Sequence, residues 1–325
     1  MRKSKTVGIL LSLLAIVLIA VLLFSVLQIV RSTLRPSVPV ETEPSSKTIV
    51  HDGVEYFPRQ DIDVLMVIGI DKYGPVEASG SYNNDGEADM IMLLAFDHAA
   101  KEIRVLNIDR DTMTQIPILG IGGKQAGTFY GQLALSHSYG SGLEDSCENT
   151  RNTVRDLLGG VNIDYYIALH MDAIAVINDA VGGVTVTVDE DFSAAGSDIP
   201  MGTTTLRGQQ AIDFVRIRKG VGDQLNASRM ERQQAFVDGF FAALQRKLEG
   251  SPNFVIETYD EVSDYIVTDC SSTVLSSMLE RYGDYSLAPV QELPGESRKG
   301  EEHMEFYPDE KAKEQLVLEL FYAPK

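Results

Sequence analysis

The stretch VLMVIGID, residues 64–71, is the part of the sequence from which the fold is predicted. Its apolar residues run without alternation up to a single carboxylate, and such a run is typical of a strand that is buried on both faces of a sheet. Lys72 and Gly74 follow directly, so the strand is expected to end at Asp71. A polar loop then occupies residues 75–87.

Two further strands are predicted next along the chain, at 90–96 and 103–108. Asp89 comes directly before the first of them, and Arg110 and Asp111 come shortly after the second. If the middle strand runs antiparallel to its neighbours, Asp71, Asp89 and Arg110 lie on one rim of the sheet. Two carboxylates on such a rim, together with substrate phosphates, are sufficient to hold Mg²⁺. The alternative is that each aspartate only stabilises a turn or a helix end.

A second stretch, VRIRKGVGDQLNASRMERQQ at 215–234, concentrates arginine in an otherwise acidic chain. Arg216 and Arg218 are two residues apart in a predicted strand, so both side chains are expected on one face. A serine and a glutamate with the spacing of a capping box predict that a helix begins near Arg229. One face of its first turn would present Arg229, Arg232 and Gln233. Arginines at a strand end and a helix N-terminus favour an anion with two phosphates. The alternative is that they pair with some of the 47 acidic residues.

The overall charge limits the class of protein. The 325 residues carry a net charge of -19, which argues against a nucleic-acid-binding protein, because phosphate backbones require a basic surface. His137 lies in a glycine-rich segment at 123–142 and is a candidate general base. The alternative is an ordinary hydrogen-bonding histidine. Cys147 and Cys270 either form a disulfide or remain free buried thiols, and their spacing leaves this open.

The N-terminal segment is predicted to anchor the chain in a membrane. Residues 1–6 form a basic cytoplasmic tail, and the apolar run at 7–30 is long enough to cross the hydrocarbon core as a helix. Since a basic N-terminus stays in the cytoplasm, the rest of the chain is expected outside the cell. Residues 31–60 are predicted to be a linker to an extracellular domain at 61–325. This domain would have a core at 61–250 and a C-terminal extension at 251–325.

Hydrophobic periodicity predicts the remaining elements. Helices are expected at 148–158, 171–181, 206–213, 229–248, 272–282 and 309–321. Further strands are expected at 163–169, 184–188 and 265–268, and loops at 189–205 and 296–302.

In several of these segments the chain resembles the LytR-CpsA-Psr family of wall-polymer ligases from Gram-positive bacteria. The segments that carry the resemblance are VLMVIGID (64–71), ADMIMLLAFD (88–97), VLNIDRDT (105–112), LALSHSYGSG (133–142), NIDYYIALHMDAIAVINDAVGGVTV (162–186), LRGQQAIDFVRIR (206–218) and DQLNASRMERQQ (223–234). They come in the order of the family. The predicted N-terminal anchor and external domain also match the family's topology.

The resemblance implies an α/β fold, an αβα sandwich with a mixed central β-sheet, preceded by one transmembrane helix and holding a pocket for a polyprenyl chain. It implies a magnesium-dependent phosphotransferase that moves a teichoic-acid-like, capsular or other wall polymer from a polyprenyl-pyrophosphate carrier to peptidoglycan. Asp71 and Asp89 would be associated with Mg²⁺. The pyrophosphate-binding set would be Arg110, Arg216, Arg218, Arg229, Arg232 and Gln233.

In the implied reaction a sugar hydroxyl attacks the phosphorus nearest the polymer, and the lipid phosphate leaves. The candidate catalytic residues are Asp71, Asp89, Arg110 and Asp111, and the sequence does not choose which carboxylate accepts the proton. Two alternatives stay open: a lipid-pyrophosphate hydrolase at the same site, and a non-catalytic binding or regulatory module of the envelope.

The chain departs from the family pattern at three places. Glu87 stands where many relatives have arginine, and Lys72 is the nearest cation after Asp71. Gln224 and Asn226 replace an Asp-x-Asp pair ahead of the predicted helix. The metal geometry and the head group of the donor are therefore left open by the resemblance.

Overall fold

A computed structural model of the chain places the strand predicted at 64–70 in the middle of a mixed sheet. The structure describes residues 48–120, 123–217, 220–221, 232, 235–236, 238–240, 242–244, 246–247, 254–282, 285–301 and 303–325. The strands are β1 (Ile49–His51), β2 (Val54–Pro58), β3 (Ile62–Ile70), β4 (Ala88–Asp97), β5 (Glu102–Ile108), β6 (Met113–Leu119), β7 (Gln125–Gln132), β8 (Tyr165–His170), β9 (Thr185–Val188), β10 (Gly202–Thr205), β11 (Ile266–Thr268), β12 (Ser286–Leu287), β13 (Gln291–Glu292), β14 (Gly295–Lys299), β15 (Met304–Pro308) and β16 (Tyr322–Pro324). The helices are α1 (Leu135–Ser138), α2 (Glu144–Leu157), α3 (Asp172–Ala180), α4 (Gln209–Arg216), α5 (Phe254–Val262), α6 (Ser272–Tyr282) and α7 (Glu310–Phe321).

The central sheet has the order β11-β8-β3-β4-β5-β12, and β13 also pairs with β5. Strand β4 runs antiparallel to β3 and to β5, while β8 runs parallel to β3. The condition for a shared rim is therefore met, because the end of β3, the start of β4 and the end of β5 lie at one edge.

Helices cover both faces of this sheet, because its inner strands are apolar on both sides. In β3, Leu65 and Val67 belong to one core cluster, and Met66 and Ile68 belong to the other. Helices α3, α4, α5 and α6 contribute to the first cluster, and α2 and α7 contribute to the second. The predicted αβα sandwich with a mixed sheet is confirmed.

The strand predicted through Arg216 is wrong, because these residues form helix α4 up to Arg216. Its buried residues are Ala211, Ile212, Phe214 and Val215. This spacing covers one side of a helix as well as it fits a short apolar strand. Ile217, which follows, is extended, and Arg218 lies outside the described residues. Arg216 therefore ends a helix and does not lie on the face of a strand.

The predicted linker and extension are also corrected. Strands β1 and β2 occupy part of the predicted linker 31–60, and β16 near the C-terminus pairs with β2. Residues from 251 onward supply β11, β12 and β13 to the central sheet, so this part is integral to the domain. The predicted loop at 189–205 contains β10, and that at 296–302 contains most of β14. Helix α5 and the β6–β7 hairpin were not predicted.

The predicted transmembrane helix at 7–30 lies outside the described residues. Among the residues that the structure describes, no helix is long and apolar enough to span a bilayer. Cys147 and Cys270 are free buried thiols in core clusters on opposite faces of the sheet, which decides between the two alternatives for this pair. Burial raises the pKa of the Cys270 thiol to about 12.

Candidate active site at the strand ends

The rim of the sheet brings the predicted site residues of three strands together. The backbone N–H of Asp71 donates to the carbonyl of Glu87 at 3.2 Å, directly beside the start of β4. Asp89 is the second residue of β4, and the register of β4 with β5 leads from there to Arg110. The predicted grouping of Asp71, Asp89 and Arg110 at one edge is confirmed.

Arg110 faces three carboxylates at this edge. Its Nη2 donates to Glu87 Oε2 at 3.0 Å, and its Nη1 donates to Asp89 Oδ1. Its Nε lies 3.5 Å from Asp111 Oδ1. About a third of the side chains of Arg110 and Asp89 remains exposed, at 34% and 36%. The group is therefore accessible. It also retains negative charge, because a single guanidinium does not neutralise three carboxylates.

Asp111 differs from its neighbours in its environment. Burial raises the pKa of its carboxyl group above the usual range, although the nearby charge of Arg110 acts in the opposite direction. Gln132 Nε2 donates to Asp111 Oδ1 at 2.7 Å and fixes the orientation of the carboxylate. Asp111 is therefore held in place and has a greater affinity for a proton than an exposed aspartate.

The end of helix α4 brings Arg216 to Asp71 at the same rim. Arg216 Nη2 lies 3.2 Å from Asp71 Oδ1, and Nη1 donates to the hydroxyl of Tyr73 at 2.5 Å. The guanidinium also lies over the Tyr73 ring, 5.3 Å from its centroid. Tyr73 was not predicted, because no pattern in the sequence relates it to a helix that begins more than a hundred residues later. Arg216 is exposed enough, at 46%, to exchange these partners for a ligand.

Arg232 is placed inside the domain and not at the rim. Its side chain is 7% exposed, and it donates to the backbone carbonyls of Phe214 and Ile217 and to the carboxylate of Glu190. These contacts hold the C-terminal end of α4, which carries Arg216. For Arg232 the structure thus shows the alternative to an anion site, which is pairing with an acidic residue. Arg218, Arg229 and Gln233 lie outside the described residues.

A tight turn at 133–138, which includes α1, ties the two strands of the rim together through its backbone. Ala134 N–H donates to the carbonyl of Arg110 at 3.0 Å, and its own carbonyl accepts from Ala88 N–H at 3.0 Å. A single residue thus bridges the start of β4 and the end of β5. The positions of Asp89 and Arg110 relative to each other depend on this turn.

Asn84 fastens the same turn to the loop before β4. The side chain is 4% exposed, and its Nδ2 donates to the carbonyls of His137 at 2.8 Å and Gly140 at 2.9 Å. Its Oδ1 accepts from Gly86 N–H at 2.7 Å. A Cβ atom on Gly86 would lie 2.9 Å from Asn84 Oδ1 and 3.0 Å from Ile70 Cγ2, so the packing requires glycine.

His137 is buried, which decides between the two alternatives for this residue. It is 1% exposed, and its Nδ1 lies 2.9 Å from the carbonyl of Gly86. Burial lowers the pKa of His137 to about 4, so at neutral pH the ring is uncharged and donates from Nδ1. Its Nε2 has no hydrogen-bond partner among the described residues. His137 therefore acts as a structural hydrogen-bonding residue, which was the alternative.

The aspartates of the rim can contribute to a magnesium site but do not form a complete one. Within the described ranges, no group of three or more His, Cys, Asp or Glu is arranged to hold a metal ion. Asp71 and Asp89 offer carboxylate oxygens on neighbouring strands, each beside an arginine. Mg²⁺ prefers such oxygens and is often bound by only one or two carboxylates together with substrate phosphates. The residues present fit that type of shared site.

Comparison with known proteins identifies the family of the chain. A sequence model of the LytR_cpsA_psr family matches residues 38–320. The X-ray structure of the Lin1025 protein from Listeria innocua aligns with a TM-score of 0.53 and 25% identity, covering 79% of this chain and 96% of that chain.

Two relatives share the name polyisoprenyl-teichoic acid–peptidoglycan teichoic acid transferase TagU. The protein from Oceanobacillus iheyensis is 26% identical over 231 residues, which is 70% of this chain and 65% of the relative. That from Bacillus cereus strain AH820 is 30% identical over 155 residues, or 48% of this chain and 44% of the relative. The match therefore spans less than two thirds of the length of either relative.

Proposed function

The chain belongs to the LytR-CpsA-Psr family, and on this basis we propose that it transfers a wall glycopolymer from a polyprenyl-pyrophosphate carrier to peptidoglycan. The observation that carries the proposal is the accessible rim on which Arg110 and Arg216 face the carboxylates of Asp89 and Asp71. The names of the two TagU relatives support a teichoic-acid-like polymer as the transferred group.

The pyrophosphate of the donor would bind between Arg110 and Arg216. Guanidinium groups bind phosphate oxygens in pairs, and both arginines are exposed enough to leave their carboxylate partners. Arg218, Arg229 and Gln233 are proposed as further pyrophosphate contacts from the sequence alone. Arg232 holds the end of α4 in this proposal, and so positions Arg216. Mg²⁺, held by Asp71 and Asp89, would supply charge neutralisation at the phosphates when bound.

We assign the proton acceptor to Asp111. Asp71 and Asp89 are the candidate metal ligands, and Glu87 accepts from Arg110 at 3.0 Å, whereas Asp111 lies farther from that guanidinium, at 3.5 Å, and is held by Gln132. Its raised pKa makes it a stronger base than an exposed aspartate. A sugar hydroxyl gives its proton to Asp111 while its oxygen bonds to the phosphorus nearest the polymer. The bond from this phosphorus to the lipid phosphate breaks, and the lipid phosphate leaves.

The proposed location follows from the N-terminal prediction. An anchor at 7–30 with a cytoplasmic tail would place the rim on the outer side of the membrane, where a lipid-linked donor and peptidoglycan meet. Both partners are part of the proposal.

The proposal is tested by a transfer assay on the full-length protein in detergent. A polyprenyl-pyrophosphate-linked saccharide serves as donor, and the saccharide attached to a peptidoglycan acceptor is quantified. Arg110→Ala is expected to lower the rate roughly 100- to 1,000-fold, because it removes a charge-stabilising donor at the transferred phosphoryl group.

Arg151→Ala is the matched control. Arg151 also pairs with two acidic residues, Glu148 and Asp269, but it lies on helix α2 and not on the rim. Its loss is expected to leave the rate per folded molecule close to that of the wild type. Equal rates for Arg110→Ala and Arg151→Ala, or no transfer by the wild type, would contradict the proposal.

A further inference from the structure

The β6–β7 hairpin begins beside Asp111 and exposes aromatic residues next to the rim. Strand β6 starts at Met113, which pairs with Gln132 at the end of β7. Tyr130, two residues before Gln132, is 50% exposed and is one of the most exposed large side chains of the described part. A single exposed aromatic residue is ordinary on a protein surface. Tyr130 is of interest because it lies on the hairpin that begins beside Asp111.

Tyr130 and the residue that holds Asp111 lie on the same face of the hairpin. Side chains two apart on a strand point to the same side, so Tyr130 and Gln132 project from one face of β7 with their Cα atoms about 7 Å apart. Gln132 Nε2 donates to Asp111 Oδ1 at 2.7 Å and to the carbonyl of Met304 at 2.9 Å. The face that carries Tyr130 is therefore the face that approaches the proposed proton acceptor.

Phe129 lies on the opposite face of the same strand. Its ring meets Tyr139 edge to face, with the centroids 5.7 Å apart. It pairs across the hairpin with Ile116, which is fully buried. Phe129 is also well exposed, at 40%. The two neighbouring aromatic residues therefore differ mainly in the face of the hairpin on which they lie, which makes Phe129 a suitable control.

Polar residues lie near Tyr130 along the hairpin and on the neighbouring strand. The cross-strand partner of Tyr130 is Gln115, which is exposed. Strand β15 lies beside this face, because Gln132 donates to the carbonyl of Met304 at its start, and it carries Glu305 and Tyr307, whose hydroxyl donates to Glu305 at 2.7 Å. An exposed ring with polar residues on the neighbouring strands fits a pyranose, whose C–H face packs on the ring while its hydroxyls form hydrogen bonds.

The charges near this face are mixed. Asp111 has Arg110 beside it, and Arg298 lies over the ring of Tyr307, whose hydroxyl donates to Glu305. The net charge of the chain, -19, repels a phosphate-rich polymer. A neutral or N-acetylated sugar of the acceptor meets no such repulsion.

We propose that Tyr130 is the stacking platform for a pyranose of the acceptor saccharide, with Gln132 and Asp111 beside its reacting hydroxyl. The inference rests on the proposed function, since it identifies where the acceptor of that reaction binds. A sugar stacked on Tyr130 would lie on the face of β7 from which Gln132 donates to Asp111. Its hydroxyl proton passes to Asp111 as its oxygen bonds to phosphorus, and the lipid phosphate departs.

The test separates acceptor binding from the rest of the reaction. Saturation curves for acceptor and for donor are measured with the full-length wild type, Tyr130→Ala, Tyr130→Phe and Phe129→Ala. Loss of one aromatic stacking contact is expected to raise the KM for the acceptor roughly five- to tenfold in Tyr130→Ala. The KM for the donor should stay unchanged. Tyr130→Phe keeps the ring and should stay close to the wild type, and Phe129→Ala should do the same.

A binding measurement without donor makes the inference independent of turnover. A short β-1,4-linked N-acetylhexosamine oligosaccharide is titrated into the same four proteins and followed by saturation-transfer NMR. Binding by the wild type that is weakened only in Tyr130→Ala supports the inference, even if no transfer is detected and the proposed function fails. No binding by the wild type, or equal weakening in Phe129→Ala and Tyr130→Ala, overturns it. An active wild type with an unchanged acceptor KM in Tyr130→Ala also overturns it and leaves the proposed function standing.

Discussion

Asp111 is the residue at which burial changes the chemistry of the rim most directly. Asp111 lies near Arg110, as the exposed aspartates of this edge lie near arginines, but it is also partly enclosed and held by Gln132. Because burial raises its pKa, its carboxylate takes up a proton at a higher pH than an exposed aspartate does. The rate of a reaction that needs this carboxylate as base falls as the pH is lowered through that raised pKa.

Asp111→Asn tests this assignment, since asparagine keeps an oxygen that can accept from Gln132. The expected result is a loss of about 100-fold or more in kcat, the usual contribution of a general base. The decrease in kcat/KM on the acidic side should disappear with the carboxylate. The pH dependence of kcat/KM for transfer is the measurement. An unchanged acidic limb in Asp111→Asn would assign the base to another residue.

His137 makes a pH-dependent contribution to stability. Its pKa is about 4 in the folded protein and close to 6.5 in the unfolded chain, so the unfolded state binds a proton first as the pH falls. The contribution is complete above pH 6.5 and is lost between about pH 6.5 and 4, with a magnitude of about 3 kcal/mol. His137→Asn can still donate to Gly86 but does not titrate. Denaturant unfolding across this interval should show a weaker pH dependence in the variant, and an identical dependence would contradict the assignment.

The residues of the rim divide into those that the sequence could predict and those that it could not. Asp71 and Arg110 follow apolar strands, so their place at a strand end could be predicted from the hydrophobic pattern. The burial of Arg232 depends on Glu190, which comes from a separate loop, and no local pattern indicates that pairing. The same applies to the contact of Tyr73 with Arg216.

At the scale of elements, the turn at 133–138 holds the rim together, and Asn84 holds the turn. Asn84→Ala removes donors from buried carbonyls and is expected to cost about 1–3 kcal/mol of stability. It should also lower kcat for transfer about tenfold, because Asp89 and Arg110 lose their fixed relation, while the KM for the donor changes little. Kinetics and denaturant unfolding on the same samples are the measurement.

Asn178→Ala is the control for Asn84→Ala. Asn178 is also fully buried, donates to the carbonyl of Leu206 and accepts from Val184 N–H, but it connects α3 with β9 away from the rim. It should lose comparable stability and keep the kcat of the folded enzyme. Equal losses of kcat in the two variants would show that Asn84 has no specific role in positioning.

The elements that were predicted wrongly share a physical cause. The apolar residues of α4 are spaced so that a helix and a short strand fit them equally well, and packing against the core decides for the helix. Strands β7 and β14 are mostly exposed, so they lack the alternation that marks a half-buried strand. Pairing with a partner strand forms them, and local sequence gives little sign of it.

At the scale of the whole molecule, the central strands of the sheet were predictable and the placement of the C-terminal strands at its edges was not. Buried runs such as 64–70 specify central strands, because only a strand covered on both faces accommodates them. The strand predicted at 265–268 is present as β11, but its place at the edge of the sheet was not predicted, and β12 is two residues long and carries almost no pattern. Their contribution to the domain is visible only in the assembled fold.

The net charge of the molecule limits where an anionic donor can bind. With a net charge of -19, most of the surface repels a pyrophosphate, so binding requires a cation that offsets the carboxylates of the rim as well as guanidinium groups. Arg110 and Arg216 provide two such groups at the rim within the described part of the chain. The central claim is that this rim joins a lipid-linked polymer to an acceptor sugar and does not release it to water.

The most direct test is the fate of solvent oxygen in a single turnover. The full-length protein, the polyprenyl-pyrophosphate-linked saccharide and a peptidoglycan acceptor are mixed in water enriched in heavy oxygen, and the products are analysed by mass spectrometry. Transfer predicts a saccharide joined to the acceptor through a phosphodiester that contains no solvent oxygen, with lipid phosphate released in equal amount. Free saccharide phosphate carrying heavy oxygen as the main product would mean that the rim hydrolyses its donor, and would contradict the account.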